Sequence, residues 1–426
     1  MLEQAWVGLD VGTTSSKAVA YSATGAELGS GRAPTVWRTT PLGVELDPAV
    51  LLDSALSALA SAVAGLPPAV TVAGVGVTSM GETGVLVDAS GAVCAPSIAW
   101  HDTRDAVEVA ELGADLGEES FGARAGKPLR GQFSITKHRW LLRHVRTAER
   151  AARRFNVAEW VARGLGAAPV CDRALACRTG WYDLAGDGWW GDALEWSGAT
   201  EDLMPDLVDS GTPLGSATSG HPRLHGAVVT TAGHDHQAAA LGAGATGVGD
   251  ELDSSGTAEA LVRTVAPGLT GDQVLTLARG GITTDVSIQP GRWSLLGGTE
   301  GGLHLQQALD ALGVDRDGLP GLDAESLSGE GSRGARWRAA AEQATDEAVI
   351  LHAAISAVAG PHARLIVTGG WRHSAAVMAA KRAGFGALEV SPVAEAGTLG
   401  AATLAARAAG ELADDEVLGH DEVLGA

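Results

Sequence analysis

The stretch Asp10–Lys17, read Asp-Val-Gly-Thr-Thr-Ser-Ser-Lys, lies between two apolar runs, Trp6 to Leu9 and Ala18 to Tyr21, and its reading decides the fold. Apolar run, polar turn and alternating run together predict a β-hairpin, with a third short strand after Gly25. A hairpin turn needs a glycine. It does not need an acid in front of it and four hydroxyl residues in succession. Turn amides around Gly12, with the hydroxyls of Thr13, Thr14 and Ser15, suit phosphate oxygens without a helix dipole. Asp10 suits the Mg²⁺ that travels with a nucleotide, because that ion takes one or two carboxylates together with water and phosphate. Lys17 adds a cation to the same turn.

The pattern returns about half a chain later. Glu251 to Asp253 lead into Ser-Ser-Gly-Thr and then into the apolar Ala258 to Val262, so that Gly256 and Thr257 form a second turn of the same design. One unit repeated at that spacing predicts two similar domains, 1–244 and 245–426, that face each other across a cleft. Between the hairpins, Thr71 to Val77 and Val85 to Asp88 read as strands. Thr103 to Leu112 reads as a helix, and Lys137 to Arg154 as a basic amphipathic helix. Strands alternating with helices indicate an α/β protein. The aromatic stretch Trp181 to Trp196 reads as a packed hairpin and helix start. Near the end Leu365 to Thr368 runs into Gly369 and Gly370. The tail from Glu411 to Ala426 holds a near-duplicate of one short acidic phrase and is expected to fray.

Length and composition agree with two domains: 426 residues exceed one compact core, and 45% apolar against 19% charged residues describe an ordinary folded chain. A formal net charge of −21 repels nucleic acid and anionic lipid, so neither is an expected partner. No basic-then-apolar leader opens the sequence and no apolar run reaches a membrane span, which points to the cytoplasm. Cys94, Cys171 and Cys177 match neither a disulfide framework nor a metal spacing. The alanine and glycine content is read as compositional bias as much as structure.

A third motif, Ala232–Gly244, reads Ala-Gly-His-Asp-His-Gln-Ala-Ala-Ala-Leu-Gly-Ala-Gly and follows the strand Val228 to Thr231. Asp235 there stands where a strand gives way to a helix, as either a helix cap or a general base. His234 and His236 flank it without the further ligands a metal site needs. Gly242, Gly244 and Gly247 follow a helix instead of a strand, which rules out a dinucleotide fingerprint. Neither a P-loop nor a serine-hydrolase elbow occurs.

In their order and spacing these motifs resemble the FGGY family of carbohydrate kinases, from Trp6 to about Ala409. The resemblance implies a two-domain actin-like fold, that of hexokinase and heat-shock ATPases, ribonuclease H-like in each domain. It implies ATP and Mg²⁺ as cofactors and Asp235 as the general base. Thr78–Asp88 resembles the glycerol-kinase loop whose glutamate bonds a substrate hydroxyl, here Glu82, with Gly81 in place of the neighbouring arginine. Ala99–Arg104 resembles the family's Trp-x-Asp-x-Arg, making Trp100 a wall and Asp102 a polar contact, or else a core tryptophan and a salt bridge to Arg104. Gln132 stands where glycerol kinases carry a tyrosine, and His236 where they carry a glutamine. On the nucleotide side the resemblance assigns Gly12, Thr13, Thr14, Lys17, Gly256, Thr257, Gly369, Gly370 and Ser374, with Asp10 on the metal. Trp371 replaces a small residue and would either stack on adenine or obstruct it. Glu395–Ala405 matches the closing helix. The family's usual stretch between Gly313 and Trp337 is shortened.

The expected reaction is transfer of the γ-phosphoryl group of ATP to a hydroxyl. The pocket candidates show no arginine cluster, so a small neutral sugar or polyol is the expected acceptor. A homodimer is admitted. The alternative is a homologue that kept the fold, lost transfer and acts as a sugar- or nucleotide-binding regulator.

Overall fold

The computed structural model describes residues 3–256, 258–329 and 331–419. Its first sheet contains β1 (Glu3–Val11), β2 (Ser15–Tyr21), β3 (Glu27–Pro34), β4 (Val70–Ser79) and β5 (Val228–His234), in the spatial order β5-β4-β1-β2-β3. The hairpin β1–β2 is antiparallel, and β4 and β5 extend it as parallel strands. β1 and β4 are covered on both faces, so their sequences are continuous apolar runs and not alternating ones. The three parallel strands end at the same edge. That edge carries Val11, Ser79 and His234, and the site is built there.

The second sheet repeats the plan. β6 (Asp250–Ser255) and β7 (Glu259–Val265) form its hairpin. The strands β8 (Thr283–Val286), β9 (Trp293–Thr299), β10 (Arg364–Thr368) and β11 (Glu389–Val390) complete the order β8-β9-β7-β6-β10-β11. Again the first hairpin strand has an antiparallel partner on one side and parallel strands on the other.

Six helices matter for the site and its support: α1 (Pro48–Ala64), α2 (Ser134–His144), α3 (Asp235–Gly242), α4 (Gly331–Ala359), α5 (Ala375–Phe385) and α6 (Ala396–Ala408). Asp47 caps α1 by accepting from the Ala49 amide at 2.9 Å, and Pro48 fills its first position. α6 lies so close on the first sheet that side chains are excluded. A Cβ on Gly8 would come within 1.8 Å of the Thr398 carbonyl oxygen, and one on Gly76 within 2.0 Å of that of Ala401. α3 and α6 meet as tightly, with Gly400 against the Ala238 oxygen and Gly242 against that of Ala396. Glycine and alanine therefore set the distance between sheet and helix, and compositional bias is not a sufficient reading of them.

Two further expectations change. The basic helix expected to Arg154 stops at His144; Arg146–Arg150 is a 3₁₀ turn, and Arg153–Asn156 is a strand pairing antiparallel with Gly84–Val87. The recurring arginines imitate a helical period, but the chain must reverse there to reach the strand it pairs with. The tail does not fray throughout: Leu418 is buried among Trp6, Val19 and Tyr21. The second copy of the acidic phrase, at 421–425, lies outside the described residues. The shortened stretch after Gly313 folds as a helix, Leu319–Ser328, which leads towards α4.

Trp181, Trp190 and Trp196 are core residues with Phe121 and Phe133. All three cysteines are buried and unpaired. Among the described residues no helix is long and apolar enough to cross a membrane.

Candidate active site

Asp235 opens α3 directly after β5, and its side chain is about one quarter exposed. It does not cap the helix, since the capping position falls on His234. Oδ1 accepts from the His236 amide at 2.7 Å and lies 3.2 Å from Nε2 of His234. Oδ2 takes no hydrogen bond among the described residues. Burial raises this carboxyl above its ordinary range, and the charge of Glu82 adds to the rise, while the His236 amide and Arg178 act against it. Burial and Arg178 together hold His234 neutral and push His236 down to about 4. His234 is neutral beside Oδ1, and Oδ2 is left as the basic edge.

Asp10, at the end of β1, stands in the field of Asp235. Burial and then the Asp235 charge raise its carboxyl, with Lys17 opposing. Its Oδ1 is buried and has no hydrogen-bond partner among the described residues. α6 begins against it, and a Cβ on Gly397 would lie 3.1 Å from Oδ2 of Asp10 and 3.9 Å from the Asp235 carbonyl oxygen. An orphaned carboxylate oxygen beside a second carboxylate fits a divalent cation. Asp10 is the residue that would hold Mg²⁺ here.

The turn after β1 is closed by the Gly12 amide on the Ser15 oxygen at 3.1 Å, so that amide is already committed. Thr14 is exposed. Thr13 accepts from Nε1 of Trp100 at 3.0 Å through its hydroxyl, and its carbonyl accepts from Nε1 of Trp37 at 2.7 Å. Trp100 therefore links the expected sugar side to the phosphate turn. Lys17 is paired with Glu395 at 3.0 Å, just before α6, and is not a free cation.

Glu82 follows β4 and adopts φ +65°, a conformation that costs a non-glycine residue about 1–2 kcal/mol and has to be held by its surroundings. Its Oε1 accepts from Gln132 at 3.0 Å and from Nε of Arg178 at 2.9 Å, and Arg178 Nη2 reaches the same oxygen. Asp102 is not available as a substrate contact. Its two oxygens take the amides of Val44 and Arg104 and the Arg104 guanidinium, in an ion pair whose side chains are each 3% exposed. A short Trp-x-Asp-x-Arg spacing lets the acid fold back on its own arginine, and that is the contact formed.

On the second sheet, Gly256 closes its own turn onto Ser254 and Ala258, and Thr257 lies outside the described residues. Gly369, at φ +86°, packs so tightly on this turn that a Cβ would meet the Ser255 oxygen at 2.2 Å, whereas Gly370 faces open space. Ser374 is fully buried. It donates to Asp323 at 2.8 Å and caps α5, so it is not free to contact a nucleotide. Trp371 is 1% exposed, packed with Trp337 and Leu309, and the Arg316 guanidinium carbon lies 3.6 Å from its ring centroid. Protein groups cover the indole, so it offers no free face to a ligand. Asp253, the counterpart of Asp10, is ion-paired with Lys381, so the two turns are not equivalent.

The sequence shows no arginine cluster among the sugar candidates, and the structure places a single arginine beside Glu82. Arg178 is fully buried against Glu82, and Lys127 and Asp285 continue the contact. These residues come from places 96 and 107 positions apart in sequence relative to Arg178, and no local spacing announces them. Gly397 was legible only as part of the closing helix.

The sequence model of the FGGY family of carbohydrate kinases, N-terminal domain, matches residues 5–242. A glycerol kinase of Alkalilimnicola ehrlichii is 34% identical over 253 residues, 57% of this chain and 50% of that protein. A xylulose kinase of Streptomyces rubiginosus is 32% identical over 244 residues, 56% of this chain and 50% of that one. The chain thus spans about half the length of the curated relatives it matches. The solved xylulose kinase from Rhodospirillum rubrum superposes with a TM-score of 0.83 at 26% identity, covering 97% of this chain and 92% of that structure. Plasmodium falciparum glycerol kinase with ADP shares the fold, with a TM-score of 0.86 at 18% identity over 99% of this chain and 92% of that one. With half the chain matched by the family's own sequence pattern and nearly all of it by the fold of solved members, the chain belongs to the FGGY family of carbohydrate kinases.

Proposed function

We propose that the chain transfers the γ-phosphoryl group of ATP to a hydroxyl of a small neutral sugar or polyol. One observation carries the reading: Asp235 keeps one carboxylate oxygen open at the edge where three parallel strands end, beside the orphaned oxygen of Asp10 and the hydroxyl-rich turn. Oδ2 of Asp235 accepts the proton of the attacking hydroxyl, and the His236 amide fixes the other oxygen so that the basic edge does not rotate away. Glu82, Gln132, Trp100 and His236 seat the acceptor. The two Gly-Thr turns and Gly369–Gly370 flank the phosphates and nucleoside. Mg²⁺, when bound at Asp10, neutralises phosphate charge.

In this reading 1–244 carries the acceptor and base, 245–426 carries the nucleotide, and closure of the two excludes the water that would otherwise take the phosphoryl group. A neutral acceptor is favoured because Arg178 and Lys127 are already matched by Glu82 and Asp285. The regulator alternative rests on Trp371 and on the shortened second half, and it loses the first of these because Trp371 is a core residue. The test is acceptor-dependent ADP release over a panel of trioses, pentoses, hexoses and polyols, starting with glycerol and xylulose, the acceptors named for the relatives. Turnover with at least one is expected. Silence across the panel, with MgATP bound, would overturn the reading.

A further inference from the structure

Arg178 belongs to the 3₁₀ turn Cys177–Thr179, and its guanidinium, fully buried, touches both halves of the molecule. Nε and Nη2 donate to Oε1 of Glu82, while Nη1 donates to Oδ2 of Asp285 at 3.0 Å and to the Thr283 hydroxyl at 2.7 Å. Asp285 and Thr283 lie on β8, in the second sheet. The other oxygen of Asp285 takes Lys127 at 2.8 Å. Two carboxylates and two cations balance, which is the condition under which buried charges persist. Burial works against the charged form of Arg178, yet Glu82 and Asp285 hold it well above its ordinary range. Burial likewise opposes the ionised Asp285, yet Lys127 and Arg178 keep it below the usual carboxylate range.

The consequence falls on Glu82. Three N–H donors converge on Oε1, and none among the described residues reaches Oε2. The carboxylate is therefore fixed with one oxygen left as an acceptor, on a residue whose backbone is held in a left-handed conformation. The stem of Arg178 also fills the space beside Gly81, where an added Cβ would lie 3.3 Å from its Cγ and 3.1 Å from Cδ2 of His234.

We propose that Arg178 is a positioning residue for acceptor recognition: anchored on Asp285 of the second sheet, it aims Oε2 of Glu82 at a hydroxyl of the sugar or polyol. This rests on the kinase reading above. Arg178 touches no substrate itself, and a lysine in its place keeps the charge that acts on Asp235 and His236, so the effect of losing its fork must vanish when the Glu82 carboxylate is gone.

The experiment is a double-mutant cycle on the acceptor KM with the full-length chain. Arg178→Lys keeps the charge and loses the planar fork that grips Oε1. Alone, it is expected to raise the acceptor KM about tenfold or more with kcat and the ATP KM within about twofold, the order of one charge-assisted hydrogen bond. Combined with Glu82→Gln, it is expected to add less than about twofold to the effect of Glu82→Gln alone. Asp285→Asn, which keeps shape and removes the charge that anchors Arg178, should show the same pattern more weakly, and it carries the cycle should Arg178→Lys fail to fold. Equal factors with and without Glu82→Gln, or parallel losses in the ATP KM and kcat, would overturn the proposal by showing a general structural role. Absence of any acceptor-dependent turnover in the parent chain would instead overturn the kinase reading, so the two failures are told apart.

Discussion

Replacement of Trp371 by alanine separates a core tryptophan from a nucleotide platform. The indole is 1% exposed and packs with Trp337, whose ring centroid is 5.9 Å away, and with Leu305 and Leu309. Removing a buried tryptophan to alanine costs about 3–5 kcal/mol, through lost transfer energy and the cavity left behind. If the roughly 180 residues of the second half melt as one unit, with an unfolding entropy of about 2.1 cal/mol/K per residue, the loss amounts to a Tm lower by about 8–13 °C. If the whole chain melts together the drop is about 3–6 °C. The assay is a thermal melt beside calorimetric titration of MgATP at a temperature where the variant is still folded. Trp371→Phe, which keeps most of the volume, should recover more than half of the loss. ATP affinity within about threefold of the parent is expected, because the ring presents no free face to a ligand. An unchanged Tm together with a tenfold change in MgATP affinity would refute the packing argument.

Asp102→Ala should lower stability by about 3 kcal/mol, the low end for a broken buried ion pair because Glu45 remains beside Arg104, and should leave the acceptor KM unchanged. A KM that rises with no loss in the urea midpoint would restore Asp102 to the substrate. Gly76→Ala should cost at least 3 kcal/mol or prevent folding, since its Cβ would sit 2.0 Å from a backbone oxygen of α6, while Gly65→Ala, with open space around it, should be nearly neutral; similar denaturant midpoints would contradict the close approach. Linkage gives a pH signature. Asp235 is raised in the fold, so the native state keeps a proton that the unfolded chain releases near pH ~4, and the stability this contributes below ~4 is lost as pH rises through the folded pKa. In metal-free buffer Asp235→Asn should therefore gain Tm over the parent as pH rises from 5 to 8, and a gap that shrinks over that range would reverse the sign of the shift.

Much of the scaffold was legible because hairpins with glycine turns and long apolar strands are local patterns. Asp10, Glu82, Gln132 and Asp235 could be selected from motifs, and the fold brings them to one edge because β1, β4 and β5 run parallel and end together. The remainder depended on contacts distant in sequence. Arg178 meets Glu82 and Asp285 across about a hundred residues each way, and nothing in Ala-Cys-Arg-Thr announces it. Ser374 stands in the right motif, yet Asp323 claims its hydroxyl. Lys17 is likewise taken by Glu395. The glycines of β1, β4 and α6 were visible but uninformative singly. Their meaning lies in the pairing of Gly8 and Gly76 with α6, which only the packing reveals.

The most direct test of the account is the turnover of Asp235→Asn. Asparagine keeps the size of the side chain and leaves an oxygen for the His236 amide, but it cannot accept the hydroxyl proton. A positioned base contributes about 100- to 10,000-fold. With an acceptor found in the panel, kcat for ADP release is predicted to fall by that order in a variant that melts no lower than the parent and still gains Tm with MgATP. An Asp235→Asn variant that phosphorylates the acceptor at near the parent rate would contradict the assignment of Asp235 as the base.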